Sequence, residues 1–155
     1  MKIWRRLAKA GAVQLKGAGY IFPYNDEHLE LCQWLVSEVT EMKGEGAFVK
    51  ADRIETMKDK EIIELFNKQR KKDYSEIGKV LDEFERKISS IRKGGEIQDS
   101  KKLQEELNRH LRDFEDIRKI DFFTSKAGTA LKKKIETLQE EIKSLLKSDR
   151  KLIIT

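Results

Sequence analysis

Residues 77–91, with the sequence IGKVLDEFERKISSI, decide the fold class of this 155-residue chain. Their apolar residues recur at steps of four and three positions, which is the spacing of one face of an α-helix. Charged and small residues fill most other positions, so the segment predicts an amphipathic helix that buries one stripe. The stripe consists of Ile77, Leu81, Phe84, Ile88 and Ile91.

Two more apolar stripes with the same spacing follow along the chain. The first consists of Leu103, Leu107, Leu111, Phe114 and Ile117. The second consists of Leu131, Ile135, Leu138, Ile142 and Leu145. Because short loops separate three stripes of similar length, we predict an antiparallel helical bundle over residues 56–155.

Residues 1–55 alternate between helical and strand-like patterns, so they predict a small α/β unit packed on the bundle as one compact domain. The first helix ends at Gly11, and the second begins after Asn25 or Asp26 and ends before Gly44. The predicted first helix and three strands occupy residues 3–10, 12–15, 19–23 and 47–51, with a turn at 16–18.

Composition excludes several classes of protein. The single cysteine, Cys32, rules out an intramolecular disulfide and a cysteine-based zinc site, and its place on an apolar helix stripe predicts an inert core thiol. No apolar stretch approaches the roughly 20 residues of a membrane span, so we predict no membrane contact. The amino terminus MKIWRR lacks an apolar signal core, which predicts a cytoplasmic protein.

The sequence predicts no catalytic residue set, no cofactor and no metal site. The two histidines, His28 and His110, each stand alone, and neither has the spacing of a metal-binding pair. The glycines fit no phosphate-binding loop. We therefore expect a protein that is not an enzyme.

The net charge of +5 permits contact with polyanions, and residues 101–155 hold 14 basic against 10 acidic side chains. Two basic clusters lie at 68–72 and 132–134. Each is interpreted first as a solvated helix face and second as a set of phosphate contacts to DNA. No interleaved aromatic row or recognition helix accompanies them, so we expect DNA binding to be weak and nearly independent of sequence.

Arg70, Tyr74 and Asp121 are candidates for a buried polar site. Arg70 and Tyr74 share a helix face beside the apolar stripe, and Asp121 lies among apolar residues. A half-buried charge needs a partner, so we predict that Arg70 lies within hydrogen-bonding reach of Asp121 or Tyr74. The structural interpretation is an ion pair between two helices. The functional interpretation is an anion pocket in which Arg70 meets a ligand.

Several short blocks resemble a known family. They are WRRL at 4–7, GAV at 11–13, GYIFP at 19–23, ELF at 64–66 with Arg70 and Tyr74, and IDFF at 120–123. Together they resemble the amino-terminal domain of the chromate resistance protein ChrB. The first block is also similar to the central domain of phenylacetate-type repressors and to small CRISPR-associated ferredoxin-like nucleases.

The resemblance implies a ferredoxin-like α/β unit followed by helices, in the α+β class. Against that pattern the chain begins inside the first helix, which would leave the unit without its usual first strand, and it ends before the usual second domain. Residues 152–155 have high β-propensity. We therefore predict that they pair with the sheet, either in their own subunit or swapped into a partner to form a homodimer. The alternative is a disordered tail or the first residues of a severed next domain.

The resemblance also implies a role in chromate-responsive control of gene expression. We predict a non-enzymatic regulatory or sensing domain that binds chromate or another oxyanion through Arg5, Arg6 and Arg70, with Tyr74 and Asp121 as a linked network. One alternative is a structural or partner-binding module. The other is a metal-dependent nuclease, for which Asp52 and Glu55 are the acids nearest a predicted sheet edge.

Overall fold

The computed structural model describes residues 2–17, 19–93 and 100–154. The chain forms two compact units, here called the first unit (Met1–Asn67) and the second unit (Lys68–Thr155). The boundary lies within a long helix, and the division into domains at 1–55 and 56–155 stays a prediction. The elements in order are α1 (Lys2–Lys9), β1 (Val13–Leu15), β2 (Gly19–Ile21), α2 (Asp26–Glu41), α3 (Asp59–Arg92), α4 (Ser100–Lys119) and α5 (Lys126–Ile154).

Helix α1 ends where the sequence predicts. Gly11 has a φ of 93°, a left-handed conformation that favours glycine, and its N–H donates to the carbonyl of Ala8 at 3.0 Å. The N–H of Ala12 donates to the carbonyl of Leu7 at 3.0 Å. This pair of bonds is the Schellman arrangement, which satisfies the last carbonyls of a helix and turns the chain toward β1.

Strands β1 and β2 form an antiparallel hairpin in which Val13 lies opposite Ile21. The turn carries positive φ angles at Lys16 (39°) and Gly17 (77°), which suit the twist of a tight hairpin. This confirms the two predicted strands and part of the turn between them, while Ala18 lies outside the described residues.

Helix α2 begins at the predicted cap. The side-chain oxygen of Asn25 accepts the backbone N–H of His28 at 2.7 Å, which satisfies one of the free donors of the first turn. The helix buries Leu35 and ends before Gly44.

The predicted third strand is wrong, because residues 47–51 form no strand and the sheet of the described residues has the order β1–β2. Phe48 and Val49 favour strands but are 43% and 87% exposed, and no strand of the described residues pairs with this segment. A strand needs a partner for its backbone groups, and propensity alone does not supply one.

The second unit is a helical bundle, and its core consists of Tyr74 and members of the three predicted stripes. The buried members are Tyr74, Ile77, Leu81, Phe84, Ile88, Leu103, Leu107, Phe114, Leu131, Ile135, Leu138, Ile142 and Leu145. Together with the hairpin of the first unit, this bundle confirms the coarse α+β class.

The contacts also fix the direction of the helices. Going along α3, Tyr74 meets Phe114, Phe84 meets His110, and the Lys87 Nζ lies 3.3 Å from Glu106. As the residue number increases along α3, the number of the contacting residue in α4 decreases. The two helices are therefore antiparallel. Only residues 120–125 separate α4 from α5, and such a short link makes these helices antiparallel as well.

The predicted carboxy-terminal strand is wrong too. Helix α5 continues without interruption to Ile154, and Thr155 lies outside the described residues. Extending an existing helix costs much less than nucleating a new element, so the β-branched residues at the end join the helix that precedes them. No helix among the described residues is long and apolar enough to cross a membrane.

Candidate anion site around Arg70

Arg70 is the most deeply buried charged side chain that the structure describes. It lies four residues before Tyr74 in the apolar stripe of α3, so the helical repeat carries it into the interior, where it is 2% exposed. Within the described residues, its Nε and Nη1 atoms are buried without a hydrogen-bond partner. A buried donor without a partner is costly, and a guanidinium has five N–H groups to satisfy.

The nearest carboxylate to Arg70 belongs to its own helix. The Nε of Arg70 lies 3.5 Å from the Oδ2 of Asp73, which makes an ion pair but not a hydrogen bond. The side chain of Asp73 is 27% exposed, and its Oδ1 accepts the Nε2–H of Gln69 at 3.1 Å. Asp73 therefore sits between the buried guanidinium and water.

Asp121 ties the three helices of the bundle together. The Tyr74 hydroxyl on α3 donates to its Oδ2 at 2.9 Å. The backbone N–H of Ser125 lies 3.1 Å from each carboxylate oxygen, and the Ser125 hydroxyl lies 3.1 Å from Oδ2. Since Asp121 follows α4 and Ser125 precedes α5, one carboxylate joins all three helices.

Ser125 is the cap of α5. Its hydroxyl accepts the N–H of Gly128 at 3.4 Å, and its carbonyl accepts the N–H of Thr129 at 3.3 Å. The capping bond and the negative charge of Asp121 both satisfy the positive end of the helix dipole.

Gly128 allows Tyr74 to approach α5 closely. A Cβ placed on Gly128 would lie 2.8 Å from the Cζ and hydroxyl of Tyr74, which is closer than real carbon atoms pack. The missing side chain therefore makes room for the phenol that reaches Asp121.

Burial changes the ionisation of both groups on α3. Burial lowers the pKa of Arg70, and the negative charges of Asp73 and Asp121 act in the opposite direction. Burial raises the pKa of Tyr74, and the hydrogen bond to Asp121 raises it further. The phenol therefore keeps its proton and donates a hydrogen bond to Asp121.

The predicted hydrogen bond from Arg70 to Asp121 or Tyr74 is wrong. Among the described residues, Arg70 makes no hydrogen bond to Asp121 or Tyr74, and the link between helices is the bond from Tyr74 to Asp121. A phenol costs less to bury than a guanidinium, so it carries the contact that spans the core. Two participants were missed: Asp73, signalled by its i, i+3 spacing from Arg70, and Gly128, signalled as an isolated glycine in a helical pattern.

The other two predicted anion-binding residues belong to the first unit. The Nη1 of Arg6 lies 2.5 Å from the Oε1 of Glu38, an ion pair that joins α1 to α2. Arg5 is exposed and places its guanidinium carbon 5.9 Å from the centre of the Trp4 ring. The candidate site is accordingly built from Arg70 and its neighbours in the second unit.

The acids considered for a nuclease have other surroundings. Asp52 is exposed, and the Oε1 of Glu55 lies 2.9 Å from the Nε and Nη2 of Arg53. In the described parts of the chain, no group of three or more histidine, cysteine, aspartate or glutamate residues is arranged to hold a metal ion.

A comparison with protein families gives a match. The family model described as "Protein ChrB, N-terminal" matches residues 1–148, which is nearly the whole chain. No curated protein matches, and no solved structure matches. The match confirms the resemblance seen in the sequence blocks, and the chain belongs to the family of ChrB amino-terminal domains.

Proposed function

We propose that this chain is a non-enzymatic regulatory domain of chromate resistance, and that its second unit binds a tetrahedral oxyanion at Arg70. Family membership supports the link to chromate resistance. The observation that carries the proposal is a guanidinium that is 2% exposed and has two nitrogen atoms without hydrogen-bond partners in the described chain.

A tetrahedral dianion suits such a guanidinium. Arginine presents parallel N–H groups that bind two oxygen atoms of one oxyanion at once, and a bond between two charged groups is about twice as strong as a neutral one. The low exposure of Arg70 strengthens the attraction further, because little water screens it. Chromate and sulfate share this shape and charge, so both belong in the test.

An oxyanion would reach Arg70 from the side of Asp73. Its carboxylate is the anion now nearest to Arg70, and it is exposed enough to turn toward water without crossing the core. An entering oxyanion takes the place of the Asp73 carboxylate beside Arg70, so the guanidinium always has a counter-charge. Binding is then an exchange of anions at the surface end of the bundle core.

The test is calorimetric titration of the full chain with chromate and with sulfate, using three variants whose fold is checked by circular dichroism. We expect Arg70→Gln to abolish binding and Arg5→Gln to leave it unchanged. Asp73→Asn removes the competing carboxylate, so we expect it to tighten binding by about fivefold, the value of roughly 1 kcal/mol for one screened charge. Lack of binding to either anion by the unmodified chain would remove the sensing role, and loss in Arg5→Gln alone would place the site in the first unit.

Two finer assignments belong to the same proposal. The order α1–β1–β2–α2 of the first unit is that of the middle of a ferredoxin-like βαββαβ fold, which supports a ferredoxin-like origin for this unit. Control of gene expression would use phosphate contacts to DNA by the exposed Lys68, Lys71 and Lys72. Lys134 suits that role less, because it is paired with Asp82 and Glu85.

A further inference from the structure

The site at Arg70 contains a hydrogen-bond acceptor as well as donors. The Oδ2 of Asp73 lies 3.5 Å from the Arg70 Nε, and it accepts no hydrogen bond from the residues that the structure describes. The other oxygen, Oδ1, accepts the Nε2–H of Gln69 at 3.1 Å. A carboxylate has about four acceptor positions, so Asp73 keeps free acceptor capacity on the side that faces the guanidinium.

The polar groups that link the three helices are engaged with one another. The Tyr74 hydroxyl donates to Asp121 at 2.9 Å, and the Ser125 hydroxyl and N–H lie 3.1 Å from the same carboxylate. A ligand at Arg70 therefore meets two kinds of group. One is the set of guanidinium N–H groups that have no partner in the described chain, and the other is the carboxylate of Asp73.

This mixture of donors and an acceptor distinguishes two kinds of tetrahedral oxyanion. Sulfate carries no proton at neutral pH, so all of its oxygen atoms are acceptors and it fits a site made of donors alone. Phosphate and arsenate keep at least one proton at neutral pH, so each has an O–H that donates beside oxygen atoms that accept. Chromate exists in both forms near neutral pH.

An oxyanion bound to Arg70 comes into contact with Asp73. An oxygen atom that accepts the Nε–H lies about 2.9 Å from that nitrogen, and the Asp73 Oδ2 lies 3.5 Å from the same nitrogen, so the two oxygen atoms are neighbours. Without a proton between them they repel each other, and the carboxylate must stay turned toward water. With a proton between them they form a short, charge-assisted bond, so Asp73 can close over the ligand after admitting it.

We propose that Asp73 determines the specificity of the Arg70 site by accepting a hydrogen bond from the protonated oxygen of a tetrahedral oxyanion. The site then selects hydrogen phosphate, hydrogen arsenate and hydrogen chromate over sulfate. This selection rests on the proposed function, because it describes how the same site chooses its anion. Arg70 supplies the charge that attracts every oxyanion, and Asp73 supplies an acceptor that only a protonated one can use.

The experiment is calorimetric titration of the full chain with phosphate, arsenate and sulfate, at neutral pH and equal ionic strength. We expect phosphate and arsenate to bind at least about tenfold more tightly than sulfate, the value of one hydrogen bond to a charged group. Arg70→Gln should abolish the binding of all three anions, because they share one guanidinium.

Asp73→Asn keeps the shape of the side chain and removes its charge. Sulfate should then bind about fivefold more tightly, because the repelling charge is gone. Phosphate gains the same amount but loses a charge-assisted bond, so the preference for phosphate should fall to about twofold. The matched control is Asp116→Asn, which removes an exposed carboxylate of α4 and should leave the tenfold preference unchanged.

Each contrary result has a distinct meaning. Equal affinity for phosphate and sulfate in the unmodified chain would overturn the selection by Asp73 while the oxyanion site of the proposed function stands. A tenfold preference that survives Asp73→Asn would also overturn it, since the acceptor would then be another group. Phosphate binding that survives Arg70→Gln would move the preference to a different site. Absence of binding by all three anions would overturn both the selection and the site.

Discussion

The two units of this chain differ in how much of their apolar surface they bury. In the second unit, Leu81, Ile88 and Leu107 are completely buried. In the first unit, Trp34 and Val49 are 61% and 87% exposed, and an apolar cleft remains open. Three amphipathic helices close a core by packing their own stripes together, because each helix satisfies its backbone internally. A two-stranded hairpin leaves both outer edges free and depends on what packs against it.

The same difference determines where each unit can bind something. In the closed second unit the unusual feature is a charge, since Arg70 is buried beside an apolar core. In the open first unit the unusual feature is an apolar cleft, lined by residues between 3 and 62. The first arrangement favours a small anion, and the second leaves apolar side chains open to solvent.

The largest expected effect comes from truncating one leucine in each unit to alanine. Leu107→Ala removes a fully buried side chain from α4 and should lower the free energy of unfolding by about 2–5 kcal/mol. Leu29→Ala cuts a leucine of α2 that lines the cleft, where the smaller residue leaves little new cavity, so we expect a loss below about 1.5 kcal/mol.

Urea denaturation measures both variants with separate reporters. The two tryptophans, Trp4 and Trp34, belong to the first unit, so fluorescence follows that unit, while circular dichroism is dominated by the long helices of the second. Equal losses in the two variants would show that the first unit is packed as tightly as the second, and the contrast would fail.

A smaller effect is expected from two glycines in helices of the bundle. Gly128→Ala places a methyl group 2.8 Å from the Tyr74 ring, so the phenol must move away from Asp121, and we expect a loss of about 1–3 kcal/mol. Gly78→Ala is the matched control, because its new Cβ would meet nothing closer than a Leu131 carbon at 4.0 Å.

At position 78 the higher helix propensity of alanine should therefore stabilise the chain by about 0.5–1 kcal/mol. Thermal unfolding followed by circular dichroism distinguishes the two variants by the sign of the change. Stabilisation by both would show that Tyr74 does not depend on the space above Gly128.

Sequence patterns predicted the second unit well for a physical reason. The stripes that begin at Ile77, Leu103 and Leu131 are local, and a helix that repeats every 3.6 residues needs no distant segment to form. Patterns failed where a partner decides the structure. Residues 47–51 contain strand-forming residues but pair with no strand that the structure describes, and residues 152–154 extend a helix that already exists.

The candidate site was predicted in its members but not in its contacts. Arg70, Tyr74 and Asp121 stood out as polar residues in apolar surroundings, and two of them do bond to each other. The pairing of Arg70 with Asp73 rather than Asp121 depends on side-chain reach across the bundle, which spacing along the chain does not encode. The role of Gly128 depends on how closely two helices approach, which is equally a tertiary property.

The smallest expected effect tests the closed unit through its buried phenol. Tyr74 is 3% exposed, and burial followed by the hydrogen bond to Asp121 raises its pKa above the ordinary value of 10.0. The neutral phenol is then favoured in the folded state, so its contribution to stability is complete below pH 10.0 and is lost as the pH rises above that value. Tyr74→Phe should cost about 0.5–1.5 kcal/mol at neutral pH, the usual value of one hydrogen bond.

Above pH 10 the difference between the two chains should shrink by about 1 kcal/mol for each pH unit, because only the chain with Tyr74 must keep a phenol neutral. Urea denaturation at a series of pH values measures this difference directly. Tyr24→Phe is the control, since Tyr24 is 55% exposed in the first unit and its phenol already meets water. The difference in free energy of unfolding caused by Tyr74→Phe could instead stay constant up to a pH of about 11. The buried core would then not keep the phenol neutral, and the two units would not differ in how they treat a tyrosine.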